Sequence, residues 1–390
     1  MSSLEKSGPL LPGGTVGVLG GGQLGRMLTI VARRMGYRVV SWVGGPDHGP
    51  AGMADVVIEE PFDSESGLHQ FLEEADVATV EFENIPRDLL ERVAEAIPLH
   101  PGAEAIAVCQ HREREKAFLS LNEFPCAPFW IVDSAGTLAE ALAQLPANGG
   151  ILKTAEFGYD GKGQLPVTSD MDAAETWEKF DAPRAVLEEK IDLGGELSVL
   201  VVRDQRGALV TYDPVENFHR DHILDISIVP ARLDSAILEQ GREIAVGIAE
   251  ALDYVGILAV EFFLSADGTL LVNEMAPRPH NSGHHTIDAC ETSQFEQQLR
   301  AIAGLPIGSP RLHSPTVMLN LLGDVWVDND QCPDWSGILQ IPGAALHLYG
   351  KHEARRARKM GHITFTAPTQ GEALAGHKKG RALLGIPEFE

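Results

Sequence analysis

Residues 257–285 read ILAVEFFLSADGTLLVNEMAPRPHNSGHH, and their pattern leaves little choice of local structure. A β-patterned run from Ile257 to Leu264 is followed by the turn signal Ala266-Asp267-Gly268, then a second apolar run from Leu270 to Val272. Two such runs around an Asp-Gly turn predict a hairpin. Glu261 lies on the first run, and Asn273 with Glu274 ends the second. A hairpin therefore gathers two carboxylates and an amide oxygen in one place. Hard oxygen ligands of this kind suit Mg²⁺, which takes one or two protein carboxylates and completes its shell with water and phosphate. The next segment, Arg278 to His285, sets an arginine and three histidines on a loop at a strand end, where binding groups concentrate. A hairpin with two solvated glutamates and a polar loop is the plain alternative.

Composition narrows the classes. A net charge of −25 argues against binding nucleic acid by phosphate neutralisation, so an anionic substrate needs a local basic pocket. At 390 residues there is room for two or three domains, taking about 150 residues each. No apolar run reaches the roughly 18–20 residues of a membrane span, so no membrane partner is expected. The start, MSSLEKSGPLLPGG, lacks a secretory core and reads as a flexible lead-in over 1–14. Cys109, Cys126, Cys290 and Cys332 form no CxxC pair, which fits a reducing cytoplasm rather than a zinc knuckle.

Residues 15–43 predict a strand, a glycine loop, a helix to about Met35 and a second strand. Gly20, Gly22 and Gly25 have the spacing of a phosphate-binding loop, but the acid expected about 20 residues on is missing, since Asp47 comes late. A nucleotide-fold domain that does not bind NAD is the expectation. Further strands are expected at Asp55–Ile58 and Ala78–Phe82 around a Ser64–Glu74 helix, with Glu81 and Glu83 at the end of the latter strand. In an open α/β sheet that is where ligands sit, which makes Glu83 a candidate. A charged helix over 104–122, with Arg112, leads to Pro125–Pro128, and a domain boundary is placed there.

The strand over 151–154 delivers Lys153 to a glycine-spaced loop, Gly158-Tyr159-Asp160-Gly161-Lys162-Gly163-Gln164. Such a loop can wrap a phosphate chain with its amides, although it is not a Walker loop. Residues 185–191 run a strand into Glu188 and Glu189, a pair suited to an adenine amino group or ribose hydroxyls. The cluster 216–222 is densely polar, 235–253 and 286–305 read as helices, and short strands return at 316–322, 345–349 and 363–367 before a helix from about Gln370 to Leu384. The basic run Lys351, Arg355, Arg356, Arg358, Lys359 can supply the anion pocket.

These pieces in this order resemble the ATP-grasp enzymes, and among them the N5-carboxyaminoimidazole ribonucleotide synthetases. The motifs are LGGGQLGRM at 19–27, EFEN at 81–84, GYDGKGQ at 158–164, NFHRDHI at 217–223, NEMAPRPHNSGHHT at 273–286 and RKMGHIT at 358–364. The resemblance implies an α/β chain with a Rossmann-like open sheet over 15–125, an α+β ATP-grasp domain over 126–313 and a small β-rich domain over 314–390. It implies that Arg112, Lys153, Gly158–Gln164, Glu188, Glu189, Lys190, Ile191, Glu196, His219, Asn273 and Glu274 surround ATP, and that Glu261 and Glu274 hold Mg²⁺. It places Glu83, Tyr159, Asp160, Lys162, Lys351 and Arg358 against 5-aminoimidazole ribonucleotide. It also implies a homodimer.

The reaction so implied begins with ATP phosphorylating bicarbonate to carboxyphosphate. That species, or CO₂ released from it, is captured by the exocyclic amine, giving the N5-carbamate, ADP and phosphate. Phosphoryl transfer needs positioning and charge neutralisation, which these residues can provide. The glycine loop would cover the labile intermediate. Asp160, with Lys162 beside it, is the expected base or orienter for the amine, while Arg278 with the 280–284 loop, His280 and Asn281 included, forms the expected bicarbonate cradle. Loss of Asp160 is expected to spare ATP binding and impair turnover. Rival readings are a formate-dependent glycinamide ribonucleotide transformylase, which shares the RKMG feature, and a non-catalytic nucleotide-binding sensor. A dehydrogenase fails on the missing acid.

Overall fold

The fold is that of a computed structural model, which describes residues 8–45, 49–156, 158, 163–330 and 332–388. The first sheet holds β1 (Thr15–Leu19), β2 (Arg38–Trp42), β3 (Val56–Ile58) and β4 (Val77–Val80) in the order β3-β2-β1-β4. All its pairings are parallel. A parallel sheet is covered on both faces, so its strands read as continuous apolar runs, and TVGVL and VATV are buried at every position. The helix Gln23–Arg34 crosses from β1 to β2 and packs Leu24, Met27, Leu28 and Val31 inward. This is the expected open α/β sheet.

The second sheet is antiparallel and small: β5 (Phe129–Val132), β6 (Gly150–Thr154), β7 (Gln164–Val167) and β8 (Ala185–Glu189), ordered β5-β8-β6-β7. Among the described residues the third sheet has nine strands. They are β9 (Leu193–Arg203), β10 (Leu209–Thr211), β11 (Val215–Arg220), β12 (Ile223–Val229), β13 (Gly256–Ser265), β14 (Leu270–Ala276), β15 (Thr316–Leu322), β16 (Ala344–Leu348) and β17 (Lys359–Thr366). The order is β14-β13-β9-β11-β12-β15-β17-β16, with β10 on β9. The C-terminal strands thus continue the sheet of the carboxylate hairpin through the β12–β15 pairing, which seats Ile226 against Leu319. That continuity places Lys359, at the head of β17, in one framework with Glu261.

Two helices expected as single runs are broken, and each break has a reason. The 104–122 stretch is Ala103–Gln110 and Arg112–Leu121, with His111 extended between them. The Arg112 N–H leaves the helix pattern to donate to the Ala155 carbonyl at 2.8 Å, tying this corner to the small sheet. The 286–305 stretch is Thr286–Ala289 and Gln294–Ile302, because Cys290 bridges to Leu312 and Ser293 caps a fresh start by accepting from the Glu296 N–H. All four cysteines are free thiols. Among the described residues no helix is long and apolar enough to cross a membrane.

Candidate active site

The predicted hairpin is β13–β14, and Glu261 faces Glu274 across it. The register slips beside that pair, so that Phe262 meets Val272 and Asn273 is left as an extra residue. Neighbouring residues on a regular strand point to opposite faces. A bulge relaxes that alternation, and here Asn273 and Glu274 both line a cleft of about 440 Å³ together with Glu261. Desolvation raises the Glu274 carboxyl above its ordinary range, and the Glu261 charge adds to this. Burial works to raise Glu261, but its neighbours His280, His219 and Lys359 together pull the carboxyl down to about 2.

Across the cleft the positive charges are built around Glu188. This carboxylate is 2% exposed and lies beneath the cleft rather than in its wall. Lys116 Nζ stands 3.2 Å from it, Lys153 Nζ 3.0 Å and the Arg112 guanidinium 3.8 Å. Burial alone would push Glu188 up; Lys116, Lys153 and Arg112 pull it down to about 2. Lys153 moves the other way, to about 8, because its burial outweighs the attraction of Glu188. Lys116 is wholly buried and also donates to the Asn273 carbonyl at 2.9 Å, linking the cation cluster to the hairpin. Glu115, next along the helix, accepts from the Met275 N–H at 2.6 Å, and burial lifts its carboxyl to about 7. Arg112 and Lys153 line the cleft, as do Gly158, Gln164, Glu196 and His219. His219 Nδ1 lies 2.8 Å from Glu196; burial works to lower this imidazole, but Glu196 raises it.

The glycine loop does not present an open anion site. Glu81 accepts from the Gly22 N–H at 2.8 Å and the Gly25 N–H at 3.2 Å, filling the helix N-terminus where a pyrophosphate would otherwise sit. Gly20, at φ +123°, makes room for it, since a Cβ there would meet Glu81 Cγ at 2.2 Å. The chain's own carboxylate thus explains why a dinucleotide loop without its ribose acid stands here.

Glu83 and Arg278 pair in the cleft wall, with Nη2 donating to Oε1 at 3.0 Å. His280 Nε2 lies 2.7 Å from Glu261 Oε1. Asn281 is 8% exposed, lines the cleft, and its Nδ2 has no partner among the described residues. Of the basic run, Lys359 reaches the cleft lining; Lys351 and Arg358 do not. Lys351 Nζ instead donates to the Lys359 carbonyl at 2.6 Å, and Arg358 Nη1 donates to the Glu353 carbonyl at 2.9 Å. Gly163, Glu189, Lys190 and Ile191 also stand outside the cleft lining. Asp47, Tyr159, Asp160, Gly161 and Lys162 lie outside the described residues. Asp288, His347 and His362 bring ligand atoms within 4.8 Å of one another. The His347 and His362 rings stack at 4.5 Å and 12°, however, so their lone pairs run in parallel planes rather than toward one ion.

The matched families follow the chain: a ribonucleotide synthetase preATP-grasp domain over 14–110, an ATP-grasp domain over 117–295 and a phosphoribosylaminoimidazole carboxylase C-terminal domain over 316–376. A protein of Bacillus subtilis (strain 168) named N5-carboxyaminoimidazole ribonucleotide synthase is 41% identical over 366 residues, 93% of this chain and 94% of its own. The chain belongs to the N5-carboxyaminoimidazole ribonucleotide synthetase family. The synthetase of Thermus thermophilus superposes with a TM-score of 0.88 at 37% identity, covering 96% of this chain and 100% of the other. The Aspergillus clavatus member, solved with ADP and 5-aminoimidazole ribonucleotide, gives 0.84 at 32% identity, covering 95% of this chain and 98% of that one. The family resemblance read from the motifs therefore holds.

Proposed function

We propose that this chain is an ATP-dependent carbon–nitrogen ligase of purine biosynthesis. It joins bicarbonate to the exocyclic amine of 5-aminoimidazole ribonucleotide, releasing ADP and phosphate. The observation that carries the reading is one cleft, with an acidic pair on its hairpin floor facing Arg112 and Lys153, and the Arg278–Asn281 loop beside both. Family membership over nearly the whole chain fixes the class.

Lys153 and Arg112 offset the negative charge of the ATP phosphates, and the glutamate beneath keeps both side chains extended into place. Glu261, Glu274 and the Asn273 side chain are an all-oxygen donor set, and the mutual repulsion of the two carboxylates favours a cation between them. Mg²⁺ held by these residues would supply charge neutralisation for phosphoryl transfer. A bicarbonate oxygen attacks the γ-phosphorus, the bond to the ADP oxygen breaks, and carboxyphosphate forms. The Asn281 Nδ2, without a partner among the described residues, supports a bicarbonate site on this loop, since a buried donor gains when an oxyanion accepts from it. The exocyclic amine then attacks the carboxyl carbon, the carbon–oxygen bond to phosphate breaks, and the amine proton leaves to a base, for which Asp160 is assigned. Glu83, Tyr159, Lys162, Lys351 and Arg358 are assigned to the ribonucleotide. The enzyme works in the cytoplasm as a homodimer. The formate-dependent and non-catalytic readings are not favoured.

The test is ADP release measured with each co-substrate omitted in turn. It should require both the ribonucleotide and bicarbonate. Release driven by formate with glycinamide ribonucleotide would overturn the proposal, as would nucleotide binding with no turnover.

A further inference from the structure

Three neighbouring strands of the large sheet each bury a polar side chain that meets the next: Ser198 on β9, Asn217 on β11 and Ser227 on β12. Ser198 and Ser227 have no exposure, and Asn217 has 4%. Buried polar groups cost free energy unless every one is partnered. Here they form a continuous chain. Ser227 Oγ donates to Asn217 Oδ1 at 2.8 Å, Asn217 Nδ2 donates to Ser198 Oγ at 2.9 Å, and Ser198 Oγ donates to Ser282 Oγ at 2.7 Å. Ser282, also fully buried, lies 2.9 Å from His280 Nδ1, and His280 Nε2 faces Glu261 at 2.7 Å. A ladder of hydroxyls and one amide thus runs from the core to an imidazole in the cleft wall.

The chain has a direction. Ser198 accepts from the Asn217 amide and donates to Ser282, which leaves the Ser282 proton available to Nδ1. A second donor agrees: the Ser282 backbone N–H points at the same Nδ1 at 3.4 Å, and a backbone N–H cannot accept. With Nδ1 accepting, a neutral ring carries its proton on Nε2, the atom turned to Glu261. Gln294 fixes the backbone of the same residue, accepting from the His280 N–H at 2.9 Å and donating to its carbonyl at 2.8 Å. Neither ring rotation nor proton exchange between the nitrogens is open without breaking this set.

We propose that Ser282, backed by Ser198, Asn217 and Ser227, is a positioning residue that holds the His280 imidazole with its proton on Nε2, turned toward Glu261. What this does for bicarbonate capture rests on the function proposed above; the proton position itself does not. An imidazole held this way offers one donor of fixed direction beside the acidic pair and the Asn281 amide. The polar ladder is then the support of the site, and the core keeps it despite the apolar alternative.

The test is ¹⁵N–¹H correlation of the full-length protein labelled at histidine, with the His280 signal identified by its loss in His280→Asn. The expected pattern is a protonated Nε2 and an unprotonated, hydrogen-bonded Nδ1. In Ser282→Ala that pattern should give way to exchange between tautomers, and kcat should fall roughly tenfold, the lower end of what a lost supporting hydrogen bond does in such sites, with the KM for ATP unchanged. Ser198→Ala, which keeps the Ser282 hydroxyl, should lose less. A proton on Nδ1 in the unaltered protein overturns the proposal and needs no variant to fold. Wild-type kcat and an unchanged spectrum in Ser282→Ala overturn it as well. Failure of the carboxylation reading would instead appear as ADP release indifferent to bicarbonate in the unaltered protein, with the Nε2 proton still in place.

Discussion

Replacing Lys116 by methionine tests the cation cluster at its least replaceable member. The side chain is wholly buried, 3.2 Å from Glu188, and donates to the Asn273 carbonyl at 2.9 Å. Methionine keeps most of the volume and removes the charge. At an effective dielectric of about 20 the lost attraction is roughly 5 kcal/mol, partly offset because an ammonium no longer has to be desolvated. Breaking one side of a buried pair costs about 3–5 kcal/mol, and the remaining pull of Lys153 and Arg112 on Glu188 places this case near 3. The Asn273 carbonyl also loses its donor, so the hairpin floor should loosen and ATP affinity fall with stability. Urea unfolding followed by circular dichroism should show a lower midpoint with little change in slope. A Lys116→Met, Glu188→Gln double variant should lose less than the two single losses summed. A single variant as stable as the unaltered chain, or additive losses, would refute the idea that Lys116 is the counter-ion joining helix to hairpin.

Three further outcomes follow from the same geometry. Glu188 sits at about 2 against an ordinary 4.5, so its ionised form adds roughly 3 kcal/mol of stability, present above pH 4.5 and lost as pH falls toward 2; acid unfolding of Glu188→Gln should show a correspondingly shallower pH dependence over that window. Glu274→Gln should raise the Mg²⁺ concentration that half-saturates ADP release by roughly tenfold while the fold persists, and an unchanged Mg²⁺ requirement would remove Glu274 from the metal set. Gly20→Ala adds both a Cβ into Glu81 and strain at φ +123°, and thermal melts should show a loss of about 2–4 kcal/mol.

The parts of the site legible in the sequence were those that lie close along the chain. The β13–β14 hairpin, the glycine loop before Gln23–Arg34 and the short C-terminal strands each declare themselves through local periodicity and turn residues. What stayed hidden depends on contacts across long separations. Glu188 reads as a ligand at a strand end, but Lys116 meets it from a helix 72 residues earlier in the chain, which no local pattern encodes. Glu81 and Glu83 look alike in sequence; one plugs the glycine loop and the other pairs with Arg278 in the cleft. Asn273 and Glu274 share the cleft because of a bulge, which adjacent residues in a strand do not announce. Ser198, Asn217 and Ser227 lie on separate strands, and only the sheet brings them together. Lys359 could be told from Lys351 and Arg358 only by the register of β17.

The most direct test of the central claim uses bicarbonate labelled with ¹⁸O. If a bicarbonate oxygen attacks the γ-phosphorus, that oxygen remains on phosphorus when the carbon–oxygen bond breaks. Mass spectrometry of phosphate released in early turnover, with the ribonucleotide present, should therefore show one ¹⁸O per phosphate. Phosphate free of label, while ADP and the carbamate still form, would contradict the account.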